Sequence, residues 1–198
     1  MVVLEGPLHS QHSELDLVTT PAGDLVAMVH CNNGASELDA WAGLFTEFAA
    51  ALGAPTDAST IFGTLFNAAL DGAKDAGGLL AYNYLSGEHI TGFEEGRPLF
   101  VRTPDSELSL ANFMRAQLFA TFGSLSIGMR VLAEEGVALD SLYAHGGLFK
   151  TKGVGARILA AALDTPVAVG EIAGEGGAWG IAVLAGYARD NDGTELDT

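Results

Sequence analysis

Cysteine is nearly absent. Cys31 stands alone in 198 residues, which excludes a disulfide framework and makes a reducing, cytoplasmic setting the expectation. It follows the apolar stretch Leu25-Val26-Ala27-Met28-Val29, so it reads as a half-buried structural thiol. Basic residues are scarce too: 9 Lys and Arg against 25 Asp and Glu, a formal net charge of −16. That balance repels polyanions, so neither nucleic acid nor an anionic membrane is an expected partner. No apolar run reaches the ~18 residues of a membrane span. Met1-Val2-Val3-Leu4 gives way at once to Glu5 and Gly6, which is not the pattern of a signal peptide. Histidines 9, 12, 30, 89 and 145 form no metal-ligand spacing, and His9 and His12 read as solvated loop residues. G-x-S-x-G does not occur. Gly147-Leu148-Phe149-Lys150-Thr151-Lys152-Gly153 lacks the spacing and the terminal G-K-S/T of a Walker A loop. Gly174-Glu175-Gly176-Gly177-Ala178-Trp179-Gly180 misplaces the last glycine of a dinucleotide fingerprint.

What is present is hydrophobic, patterned and rich in glycine. The apolar share is 48%, enough for a packed core and too much for a disordered chain. Met1–Leu4 and Asp24–His30 read as strands able to form a hairpin with a long connection. Glu5–Gly23 between them reads as turn. Ser36-Glu37-Leu38-Asp39 resembles a capping box. Leu38, Trp41, Leu44, Phe45, Phe48 and Leu52 follow at helical spacing, and Gly53 ends the helix. Asp57 caps a second helix with Ile61, Phe62, Leu65, Phe66 and Ala69 on one face. Both apolar stripes read as core. Gly77–Tyr84 reads as a strand, 92–104 as irregular, and 109–134 as the longest helix. Then 142–144, 155–163, 167–169 and 176–188 alternate strand and helix. The pattern predicts an α/β fold, a mixed sheet flanked by helices.

Leu142–Tyr187 carries the clearest signal. Gly146-Gly147 and Gly176-Gly177 each fall where a strand hands over to a helix. Such turns offer free N–H groups, a positive dipole end and no Cβ, which suits an anionic or nucleotide ligand. Lys150, Lys152 and Arg157 lie beside the first pair. In so acidic a chain they are either a phosphate-facing exception or ordinary loop cations. Gly176 and Gly177 serve either close ligand approach or tight helix–sheet packing. No catalytic constellation is identifiable from spacing.

Several segments resemble the FGGY carbohydrate kinases, closest to the xylulokinase-like branch. Gly78-Leu79-Leu80-Ala81-Tyr82-Asn83-Tyr84-Leu85-Ser86-Gly87-Glu88 is similar to the G-L-L-F-L-P-Y-L-S-G-E-R segment of that family, with Asn83 for Pro and His89 for Arg. Leu108–Leu132 resembles its long helix, with Arg115-Ala116 as the R-A pair. Ala144-His145-Gly146-Gly147 resembles its adenosine-binding turn, followed here by Leu148-Phe149 where Gly-Ala is common. Ile158–Val167 resembles L-A-D-x-L-G-x-P-V, and 177–182 stands at A-L-G-A-A. The order holds from about residue 1 to 188.

The resemblance implies an actin-like ATPase (ribonuclease H-like) fold, with residues 1–189 as the C-terminal nucleotide-binding lobe and 190–198 as an acidic tail, expected to be disordered. It implies ATP and ADP as ligands, with Mg²⁺ held mainly through the nucleotide phosphates and another lobe. The sugar, a pentulose such as xylulose, its pocket and the catalytic aspartate are expected in that other lobe, so the chain alone is expected to be inactive. Gly146, Gly147, Lys150, Thr151, Gly176 and Gly177 become the candidate nucleotide contacts, with no catalytic or metal-binding residue among them. A homodimer is a further expectation. A non-catalytic nucleotide-binding module and a purely structural domain are the alternatives.

Overall fold

The computed structural model describes residues 1–171, 173–191, 193 and 196. Most of the expected acidic tail therefore lies outside the described residues; Asp190 closes the last helix. The chain opens with three strands, β1 (Val2–Val3), β2 (Asp16–Thr19) and β3 (Leu25–Met28). They form an antiparallel sheet in the order β1-β3-β2. β1 pairs Val2 with Ala27 and Val3 with Val26, which is the expected long-connection hairpin. β2 was not expected: Asp16–Thr19 is exposed along its length, so its few residues carry no buried alternation to read.

Two helices follow, α1 (Ser36–Ala51) and α2 (Ala58–Leu70). Asp57 caps α2 by accepting the Thr60 N–H at 3.0 Å. The capping box of α1 does not form. Its N-cap is Ala35, with no side-chain cap. Leu38 and Ala42 of α1 are buried, but Leu44, Phe48 and Leu52 face outward, Phe48 at 60% exposure. The stripe read as one core face is thus two, and only the one through Leu38, Ala42 and Phe45 meets the core.

β4 (Leu80–Tyr82) and β5 (Leu99–Val101) make an antiparallel ribbon, so 92–104 is not wholly irregular. The long helix is broken into α3 (Leu110–Gly123) and α4 (Leu125–Glu134), bent by 48°. The Ser126 hydroxyl donates to the Gly123 carbonyl at 2.7 Å, and buried Ser124 lies 3.3 Å from the Tyr84 hydroxyl. Gly-Ser steps and side chains competing for helix carbonyls are recognised causes of a kink. Neither helix is alone long and apolar enough to cross a membrane, nor is any other described helix.

β6 (Leu142–Ala144), α5 (Val154–Leu163) and β7 (Val167–Val169) form a parallel β-α-β unit, and α6 (Gly176–Asp190) closes the chain. Asp164 ends α5 at φ +49°, a left-handed position at which the resembling stretch has Gly and which Asp tolerates. Helices thus flank three small sheets, parallel and antiparallel, in the expected α/β class. The main core joins α1, α2, α3 and α5 through Leu38, Phe66, Met114, Leu118, Phe122 and Ile158. A second cluster packs the first sheet on α4 through Val2, Leu4, Ala27 and Leu132.

Candidate nucleotide site

The first glycine pair does not open a helix. β6 ends at Ala144, and Gly147–Phe149 forms a 3₁₀ turn in which Phe149 N–H donates to the Gly146 carbonyl at 3.1 Å. α5 starts seven residues after Gly147, capped by Gly153 at φ +79°. The dipole of α5 is therefore not aimed from Gly146-Gly147. Gly146 has φ 109° and ψ 177°, a conformation essentially reserved for glycine. A Cβ on Gly146 or Gly147 would meet nothing within 4 Å. The turn is open to a ligand on that side.

A cavity of about 910 Å³ lies against it. Gly146, Gly147, Lys150 and Thr151 line one side; Ala35, Leu38 and Asp39 at the start of α1, with Ser59, Phe62 and Gly63 of α2, line the other. The size suits a nucleotide-class ligand, and the walls combine apolar surface with a few polar groups. Leu38 and Phe62 belong to the stripes that build the core, and Asp39, Ser59 and Gly63 only flank those stripes, so the sequence offered no separate signal for this wall.

Of the six candidate residues, the structure brings four to this cavity. Gly176 and Gly177 lie outside its lining. A Cβ on Gly176 would stand 3.1 Å from the His145 Cβ and 3.2 Å from its Cγ, so that glycine lets α6 close on the residue before the turn. Gly177 has nothing within 4 Å of such a Cβ. Lys150 is exposed, and its Nζ lies 3.3 Å from Glu175 Oε1. A surface pair of this kind is worth ~1 kcal/mol or less and exchanges partners readily.

Among the described residues no group of three His, Cys, Asp or Glu side chains has the arrangement of a metal site. Asp39 is the one carboxylate among the residues that line the cavity. Cys31 is half-buried, and burial with the nearby charge of Glu88 pushes its thiol up to about 11, which leaves it a structural thiol near neutral pH. The loop histidines are not both free in solvent. Glu135, at the end of α4, takes the His12 ring nitrogen at 2.5 Å, the His9 backbone N–H at 2.5 Å and the Ser10 hydroxyl at 2.8 Å. Ser10 and Glu135 both meet the same His12 nitrogen, Nε2, so the three do not form a relay of the Ser-His-acid kind, which needs both ring nitrogens.

Comparison with solved structures identifies the fold class. Xylulose kinase from Bifidobacterium adolescentis superposes with a TM-score of 0.62 at 19% identity, covering 93% of this chain and 34% of that one. Xylulose kinase from Rhodospirillum rubrum gives 0.61 at 22% identity, covering 94% and 35%. Ligand-bound xylulose kinase from Lactobacillus acidophilus gives 0.59 at 17% identity, covering 91% and 34%. This is the actin-like ATPase fold. Comparison with curated protein sequences gives no match. The family model for the C-terminal domain of the FGGY family of carbohydrate kinases matches residues 1–189. The chain belongs to that family, and it spans about a third of the length of the solved kinases it resembles.

Proposed function

We propose that this chain is the C-terminal, nucleotide-binding lobe of a cytoplasmic, ATP-dependent sugar kinase whose substrate is a pentulose of the xylulose kind. One observation carries the reading: the cavity of about 910 Å³ between the Gly146–Thr151 turn and the first turns of α1 and α2. Gly146, in a conformation open to glycine, presents the backbone of Gly147, with no Cβ in the way, to a nucleotide lying against the turn. Phe62, half-buried at the cavity wall, offers apolar surface to a base, and the Thr151 hydroxyl is a donor for ribose or phosphate. Lys150 turns from Glu175 to meet phosphate charge. Gly177 brings the start of α6 near the same ligand, while Gly176 is there for packing on His145. The xylulose kinase neighbours support the choice of sugar class.

Phosphoryl transfer is mainly positioning and charge stabilisation. In this reading the chain holds the donor nucleotide, and a second lobe supplies the sugar pocket and the carboxylate that takes the hydroxyl proton. Closure of the two lobes then excludes water and aligns donor with acceptor. Mg²⁺, held through the nucleotide phosphates and that lobe, would neutralise phosphate charge. The test is a calorimetric titration of the chain with ADP beside Gly147→Asp, which places a side chain and a like charge at the turn. Saturable binding by the parent, lost in the variant, is expected. No binding by the parent chain would refute a preformed nucleotide site.

A further inference from the structure

α1 enters the cavity wall without a cap of its own. Ala35, its N-cap residue, has no side-chain acceptor to offer, yet Ala35, Leu38 and Asp39 form one side of the cavity. What holds this end lies just upstream. Glu88 is 0% exposed. Its carboxylate accepts the Asn32 N–H at 3.1 and 3.0 Å, the Asn33 N–H at 3.1 Å and the Asn33 side-chain amide at 3.1 Å. Asn33 answers in the other direction. Its Oδ1 accepts the N–H groups of Leu85 and Ser86 at 2.9 and 3.0 Å. Asn83, 2% exposed, donates to the carbonyls of Asn33 and Gly34 at 2.9 and 3.1 Å. No Lys or Arg is paired with Glu88 in the described residues; the nearest cationic candidate is His89, whose Nδ1 is 3.9 Å away.

A buried carboxylate satisfied almost wholly by N–H donors is costly to disturb, because each lost donor leaves charge unsolvated. The two loops are therefore bound to one geometry. The body of α1 is fixed separately, by Ala42 and Phe45 in the core and by the edge-to-face contact of Trp41 with Phe113 at 4.8 Å, while Leu38 buries one side of the first turn. The clasp adds the direction in which the first turn points.

We propose that Glu88 is a positioning residue of the nucleotide site: by gripping Asn32 and Asn33 it sets where the first turn of α1 stands across the cavity from Gly146 and Gly147. The inference rests on the nucleotide reading above. Glu88 touches no ligand in this account and acts through α1.

Glu88→Gln tests it in the full 198-residue chain, with ADP as the probe. The amide keeps the shape but turns one acceptor into a donor facing the Asn32 N–H. Misplacement of a site element on the order of 1 Å costs up to ~100-fold in function, so a rise of about tenfold in the ADP Kd is expected. Trp41 reports the helix directly. In a Trp179→Phe background its emission should shift in Glu88→Gln without nucleotide, well below the unfolding temperature. Glu135→Gln is the control: it removes another carboxylate clasp, whose hydrogen bonds go to residues 9–12 and not to the segment before α1, and should lower stability while leaving Kd and Trp41 emission at parent values. Asn83→Ala, which removes only two of the bonds, should weaken ADP binding in the same direction by less, and decides the matter should Glu88→Gln not fold. Parent-like ADP affinity in both clasp variants, or equal weakening in Glu135→Gln, would overturn the proposal. A parent chain that binds no ADP removes the nucleotide reading itself, a different result from a binding parent with unaffected variants.

Discussion

Gly146 and Gly147 are adjacent glycines held for different reasons, and alanine separates them. At Gly146 the backbone stands at φ 109° and ψ 177°, where an L-residue carries about 1–3 kcal/mol of strain. A Cβ there meets nothing within 4 Å, so no steric clash adds to the strain. For a domain of this length each kcal/mol moves the Tm by about 2–4 °C, so Gly146→Ala should lower it by roughly 2–12 °C. Gly147 sits inside the 3₁₀ turn, where its φ is not left-handed, and its Cβ would also enter open space. Gly147→Ala should therefore stay within ~0.5 kcal/mol of the parent in stability. It should weaken ADP binding, because the added methyl stands where the ligand lies against the backbone. Thermal unfolding followed by circular dichroism reads the first quantity, and calorimetric ADP titration the second. An unchanged unfolding midpoint in Gly146→Ala would refute the strain argument. Parent-like ADP affinity in Gly147→Ala would refute the contact and favour a purely structural role for the pair.

Two further outcomes follow from other parts of the molecule. Hydrogen bonds from the His12 ring and the His9 backbone hold the Glu135 carboxyl down at about 2; its stabilisation is complete above the ordinary carboxylate range and is lost as the pH falls from about 4.5 toward 2. Urea midpoints from pH 6 to 2 should fall less steeply in Glu135→Gln than in the parent, and parallel curves would show that the clasp contributes nothing. The chain alone should also release no sugar-dependent ADP in a coupled assay with xylulose, since the base and sugar pocket are assigned to a second lobe; turnover by the purified chain would sink that assignment.

Signals confined to a few neighbouring residues were legible in the sequence. Asp57 caps α2 and Gly53, at φ +75°, follows α1, because a side-chain acceptor or a left-handed residue acts within one turn of itself. The ordered set of family-like segments was legible for the same reason, each being short and continuous. What escaped was set by distant partners. Leu44 and Phe48 have the spacing of core residues, but periodicity does not say which of two adjacent helix faces the rest of the chain covers. β2 is exposed along its length and β5 is exposed at both ends, so neither buries a face that the sequence could show. The cavity behaves likewise: its glycine turn is visible from sequence, while its opposite wall is built from the edges of core stripes on α1 and α2.

The start of α1 shows how a local rule yields to a long-range one. Ser36 and Asp39 have the types and spacing for a reciprocal cap, and a free peptide of this sequence would have reason to form it. In the folded chain the segment before Ser36 is already committed. The N–H groups of Asn32 and Asn33 are spent on Glu88, and the carbonyls of Asn33 and Gly34 are taken by Asn83. That leaves Ala35 as the N-cap, in helical geometry at φ −87° and ψ −6°, and takes Ser36 inside the helix, out of the flanking position from which a capping residue acts. The cap is forgone because a buried carboxylate more than fifty residues away fixes the entry of the helix. A helix end fixed from outside can be placed where a site requires it, independently of its own sequence. Here that place is the wall facing Gly146 and Gly147, and the failed capping box and the assembled cavity have the same cause.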